Sequence, residues 1–254
     1  MTTAVDVRTI PRIMHAEAMR IADVEVDKVT ATLRALEPGD GTKPTDCPRW
    51  DVRALAAHMV GSAAGQASPR EFLRQVRAGR PVVAEIGAKY WWDGMNEIQV
   101  RERNDLSIEQ LIAEWDHIAP RALKARRKLP RPVAKLPLLK LPAPVGRQPL
   151  AYLFNVGFTR DTWMHRIDLA EATGKPFNAD AGHDGRIVAD LVAEWATTHN
   201  LPFDLELTGP AGGHYTHYTQ GTSGEHVTID AIEFARTLAQ RAHGEGVLSH
   251  PLPL

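Results

Sequence analysis

Arg160-Asp161-Thr162-Trp163-Met164-His165-Arg166-Ile167-Asp168-Leu169 is the stretch on which the reading of this chain turns. As a helix it places Asp161 and His165 four residues apart, so their side chains rise from one face on successive turns. Asp168 follows three residues later on the same face. Phe158 and Phe154 continue that face toward the N-terminus, while Leu153, Val156, Met164 and Ile167 form a core-seeking side. Two metal-competent groups and a further carboxylate, Asp168 (a candidate catalytic group), therefore stand at one end of an apolar stripe. A buried polar cluster must be paired or bound, because an unpartnered buried charge costs on the order of several kcal/mol. The same residues also read as a plain i,i+4 pair with Arg166 and Asp168 as solvated charges. A third ligand elsewhere in the chain decides between the two.

The helix carrying this stretch is expected over about 150–173, stopped by Gly174 and Pro176. Working back toward the N-terminus, apolar residues recur at helical spacing over 12–37 and end at Pro38-Gly39. Asp51 is an N-cap for a helix to about Ala67, with a core stripe of Val52, Leu55, Ala56, Met59, Val60 and Ala63. His58 falls away from the centre of that stripe, beside Ala54, Gly61 and Ser62, small neighbours that admit either a second helix or a ligand. A short helix over 70–80, another within 85–103 and one capped by Ser107 and running to about Lys128 complete the helical part. Trp91 and Trp92 read as core or pocket wall.

Bulk properties narrow the function classes. A chain of 254 residues supports one large domain or two smaller ones. Its 30 basic and 31 acidic residues argue against nucleic-acid binding. A single cysteine, Cys47, rules out an intrachain disulfide and a cysteine-based zinc knuckle; it sits in the loop before Trp50 and reads as packing. No apolar run reaches the length of a membrane span, and the N-terminus lacks a basic region followed by an apolar one, so a cytoplasmic protein that engages no membrane is expected. From Arg121 to Arg147 there are nine basic residues and no acidic one. The segment reads as a helix end and connecting loop, or alternatively as a basic lid that attracts an anionic, carboxylate-bearing substrate.

Beyond Gly174 the texture changes. A helix over 183–199 precedes three strand-like runs at 203–207, 214–219 and 226–229, and Asp230 caps a last helix to about Arg241. The chain is therefore mostly α, a helical domain followed by a small α+β unit, with the boundary between Gly174 and His183. His214 and His217 point to opposite faces of a strand and, with His226, read as structural.

The stretch 44–58 with Trp50 and His58, the run Asn96-Glu97-Ile98-Gln99-Val100-Arg101-Glu102-Arg103, and the stretch 161–174 resemble, in this order and spacing, the DinB-like superfamily, and within it the mycothiol-dependent maleylpyruvate isomerase family. The resemblance implies a DinB-like four-helix bundle over 1–176 and a small α+β domain of sterol-carrier-protein-like character over 177–254. It implies a divalent metal, zinc first with nickel or iron also fitting, held by His58, Asp161 and His165. The middle position carries Asp here, where the family isomerase has Glu, and Asp is one methylene shorter. It further implies mycothiol as thiol cosubstrate, a small electrophile as substrate, and transferase or isomerase activity. Arg241 or Arg236 on the last helix is a candidate to hold a substrate carboxylate. A homodimer is an open expectation. Two rival readings stand beside this one: a binding module with a vestigial metal site, and a metal-assisted hydrolase.

Overall fold

Capping chemistry sets the helix ends. In the computed structural model, which describes residues 3–219 and 221–252, the first long helix, α1, spans His15–Arg34. The Asp51 carboxylate accepts the Ala54 amide at 2.7 Å and opens α2, Val52–Ala67. Ser68 caps α3, Pro69–Glu85, which outruns the expected 70–80 because Pro81 lies within its last turns without ending it. The Asp93 carboxylate accepts the Tyr90 amide at the start of α4, Trp91–Arg101. Ser107 and Gln110 form a reciprocal capping box at the start of α5, Ile108–Arg127. α3 and α4 cross in contact at glycines: a Cβ on Gly94 would lie 2.2 Å from the Gly79 carbonyl oxygen.

The expected helix over 150–173 is present, in three parts. A helical turn, Leu150–Tyr152, passes into π-helical turns at Leu153–Gly157 and then into α6, Phe158–Thr173. The chain then divides into two compact units. One takes in Met19–Arg131 and His165–Pro176; the other takes in the N-terminal segment to Ala18, Pro132–Met164 and the chain from Phe177 onward.

The first unit is helical, and α2 is its centre. Leu55 and Val60 of α2 pack in one core with Val29 and Leu33 of α1, Val100 of α4, Leu111 and Trp115 of α5, and Leu169 of α6. The sequence suggests a one-sided stripe on α2, but Ala54, Ala57, His58, Gly61 and Ser62 are buried as well. Small residues on that side let neighbouring helices close over it. Truncating Leu55 to Ala there is expected to cost roughly 2–5 kcal/mol. Two charged groups at the α6 end are interior too: Arg166 donates to Glu25 at 2.8 Å, both nearly fully buried.

The second unit carries a four-stranded mixed sheet in the order β1-β5-β4-β6, with β1 at Val5–Asp6, β4 at Phe203–Thr208, β5 at Gly213–His217 and β6 at Glu225–Asp230. A separate hairpin pairs β2 (Leu139–Lys140) with β3 (Arg147–Gln148). Phe203, Leu205 and Leu207 of β4 turn inward while Asp204, Glu206 and Thr208 do not, the period-two pattern of a half-buried strand. Phe203 and Phe234 close on Trp195 at ring distances of 4.9 and 5.5 Å, joining the sheet to α7 (Asp184–His199) and α8 (Ala231–Leu238). The parallel pairing of Val5 with Tyr215 places the N-terminal segment with this sheet. A division at 176 separates them, and a two-residue strand carries too little periodicity to announce itself. Arg160, first residue of the opening stretch, is structural: it donates to Asp190 and Glu194, each at 2.6 Å. Among the described residues no helix is long and apolar enough to cross a membrane.

Candidate metal centre

His58 rises from the middle of α2 into the interior of the helical unit, 1% exposed. Its Nδ1 lies 2.9 Å from Gln99 Oε1, and the Trp50 indole stacks on its ring at a centroid distance of 4.8 Å. The His165 ring, brought in by α6, meets the His58 ring edge-on at 4.9 Å. His165 Nδ1 lies 2.9 Å from Asp168 Oδ2, an i,i+3 contact along one helix face. Asp168 is fully buried.

These partners settle the ring protons. An amide oxygen and a carboxylate oxygen only accept, so in the neutral rings both Nδ1 atoms carry the hydrogen and both Nε2 atoms carry lone pairs. Asp161 stands one turn before His165 on the same helix. One donor atom from each of His58, Asp161 and His165 lies within 4.8 Å of the others. Two neutral imidazoles and a carboxylate are a donor set that suits a divalent ion and leaves a tetrahedral position open. The residues present therefore fit the metal that the resemblance implies.

Cys47 is nearer to this chemistry than its sequence context suggests. Its Sγ donates to the same Asp168 oxygen at 3.6 Å, and Cys47, His165 and Asp168 each offer a donor atom within 4.8 Å of the others. It packs against the helical core, as its sequence context suggests, and it also engages Asp168. Asp168 itself holds His165 and Cys47, which makes it a positioning group for the ring. Arg241 and Arg236 belong to the other unit, where Arg241 donates to the Ala239 carbonyl and Arg236 to Glu233.

The basic segment is only partly solvated. Arg126 is buried in the helical unit, where burial draws its guanidinium down to about 10 against the opposing charge of Asp23. Arg127 pairs with Asp23. Both are tied into that unit, which removes them from a mobile lid. His214 bonds to Asp204 at 2.6 Å and His217 to the Leu201 carbonyl at 2.9 Å.

Sequence reasoning missed Gln99 and Gln75, the buried amides behind His58, and the stacking of Trp50. Trp50 Nε1 is buried with no hydrogen-bond partner among the described residues. An aromatic eight residues before a histidine, in the loop ahead of its helix, carries no periodic signal, and a glutamine in a helix reads as an ordinary helix former.

Residues 22–170 match the family model described as mycothiol maleylpyruvate isomerase N-terminal domain. No curated protein matches the chain. Two solved structures share the fold over 94% of this chain and 92% of theirs. A crystal structure of the mycothiol-dependent maleylpyruvate isomerase is 16% identical with a TM-score of 0.58, and a mutant of that enzyme is 15% identical with a TM-score of 0.57.

Proposed function

The chain belongs to the mycothiol maleylpyruvate isomerase N-terminal domain family, and from that premise we propose that it is a metal- and thiol-dependent enzyme, an S-transferase or isomerase that uses mycothiol on a small electrophile. The observation that carries this reading is the convergence of one donor atom from each of His58, Asp161 and His165 within 4.8 Å. His58 and His165 contribute no charge and Asp161 contributes one negative charge, so the protein leaves a divalent ion one positive charge in excess. A divalent ion held there would supply the means to bind an incoming thiol as its thiolate near neutral pH, below the roughly 8.5 of a free thiol.

The chain's own residues prepare that encounter. Asp168 and Gln99 hold the two rings with their lone pairs presented. The Cys47 Sγ donates to Asp168 at 3.6 Å, so its hydrogen is turned to the group that positions His165. A thiolate that adds to a carbon–carbon double bond conjugated to a carbonyl converts it to a single bond. Rotation followed by loss of the same thiolate isomerises the substrate and returns the thiol. Protonation of the adjacent carbon instead retains the new C–S bond and completes a transfer.

The test is an assay of electrophiles, including cis-configured enones and enoic acids, with zinc-loaded protein and with mycothiol, glutathione, bacillithiol or no thiol. Turnover that requires both zinc and mycothiol is the expected result. Equal hydrolysis without thiol supports a metal-assisted hydrolase instead, and tight ligand binding without turnover supports a binding module.

A further inference from the structure

A file of buried amides leads away from His58 through the helical unit, and nothing in a three-ligand centre requires it. Gln99 of α4 and Gln75 of α3 are 1% and 0% exposed. His58 Nδ1 meets Gln99 Oε1 at 2.9 Å, Gln99 Nε2 meets Gln75 Oε1 at 2.8 Å, and Gln75 Nε2 meets the Gly61 carbonyl at 2.9 Å and Glu71 Oε1 at 3.0 Å. We propose that Gln75 and Gln99 are positioning residues: a relay that fixes the proton of the His58 ring on Nδ1 and so presents Nε2 to a cation.

The direction of the relay is set from its far end. The Gly61 carbonyl and the Glu71 carboxylate can only accept, so the Gln75 atom between them must be the amide nitrogen. Gln75 Oε1 then faces Gln99, whose nitrogen must donate to it. Gln99 Oε1 is left toward His58, and an oxygen there accepts a proton that only Nδ1 can carry. Reversing either amide would set oxygen against oxygen or N–H against N–H in a buried place, each leaving unsatisfied groups. The approach that makes the relay possible is built into α2: a Cβ on Gly61 would lie 2.4 Å from Gln99 Cβ, so only glycine lets α4 bring that amide to His58. The Glu71 end is held at the surface by Arg74, which donates to Glu71 and Glu102.

The purpose assigned to the relay rests on His58 being a metal ligand, but the proton pattern is a property of the metal-free protein, and the two are measured separately. In ¹⁵N-imidazole-labelled, metal-free protein at pH 8, long-range ¹H–¹⁵N spectra separate protonated from bare ring nitrogens, with His58→Gln identifying the signal. The wild type is expected to show one tautomer, protonated on Nδ1. Gln99→Met should mix or reverse it, Gln75→Met should mix it, and Gln99→Glu, which keeps an acceptor opposite Nδ1, should preserve it. Zinc affinity measured by chelator competition should fall about tenfold or more in Gln99→Met, by less in Gln75→Met, and only a few-fold in Gln99→Glu. An unchanged tautomer in Gln99→Met, or in Gln75→Met if the former does not fold, overturns the relay. A changed tautomer with unchanged zinc affinity overturns its purpose. Absence of zinc binding by the wild type overturns the ligand reading, while the tautomer still decides the relay.

Discussion

His58 and His165 face one another at 4.9 Å, yet the surroundings of their far ring nitrogens differ in kind. Behind His165 stands a carboxylate, Asp168, on the same helix three residues away, with the Cys47 thiol donating to it. Behind His58 stands a neutral amide on another helix, backed by a second amide on a third. A charged acceptor makes a hydrogen bond roughly twice as strong as a neutral one and raises the basicity of the ring it holds. A neutral relay adds no buried charge and gains its directionality from the number of partners that would have to reverse together. One ring is held by strength, the other by consistency.

Substitutions ordered by their expected effect can break that comparison. His165→Ala removes a proposed ligand outright, and bound metal measured by mass spectrometry should fall to background while far-ultraviolet circular dichroism stays helical. Asp168→Ala leaves the ring in place without its carboxylate. Zinc affinity should drop by about 100-fold, the upper end for an outer partner of a metal-binding histidine, and by more than in Gln99→Met. Equal losses in the two variants would erase the distinction between charged and neutral support. Cys47→Ser keeps a donor to Asp168, so zinc affinity should change by no more than about two- to threefold, as expected of a group that acts only through the carboxylate.

The smallest effect concerns stability and serves as the contrast away from the two rings. Asp40 accepts the Glu37 amide at 2.8 Å and pairs with Lys43 and with Lys175 beyond the end of α6, and these contacts lower its carboxyl to about 2. A depressed carboxyl contributes stability that is present above its unfolded value near 3.9 and is lost as pH falls through the folded one. Asp40→Asn should therefore lower the unfolding free energy by about 1–2 kcal/mol at pH 7 after solvent screening, with the gap to wild type closing between pH 4 and pH 2 in urea titrations. Its zinc affinity should not move.

The same contrast explains what could be read from the sequence. The His165 arrangement is local: Asp161, His165 and Asp168 share one helix, and 3.6-residue periodicity puts them on one face before any fold is known. Asp51, Ser107 and Asp230 were equally legible because a cap acts on amides two or three residues away. The His58 arrangement is not local. Gln99 and Gln75 lie 41 and 24 residues from their respective partners, and glutamine carries no pattern that marks it for the interior. The contact of Cys47 with Asp168 is hidden for the same reason, since the two are 121 residues apart. The pairing of β1 with β5 joins the chain's beginning to its last quarter, which no window along the sequence can show.

X-ray absorption at the zinc edge of the loaded protein, before and after addition of mycothiol, tests most directly whether His58, Asp161 and His165 form a thiol-engaging centre. The expected spectrum before addition has two imidazole nitrogens and a carboxylate oxygen at about 2.0–2.2 Å and no sulfur; after addition, one sulfur enters at about 2.3 Å. Sulfur present before any thiol is added would put Cys47 on the ion, and its absence with mycothiol in excess would contradict a thiol-engaging centre.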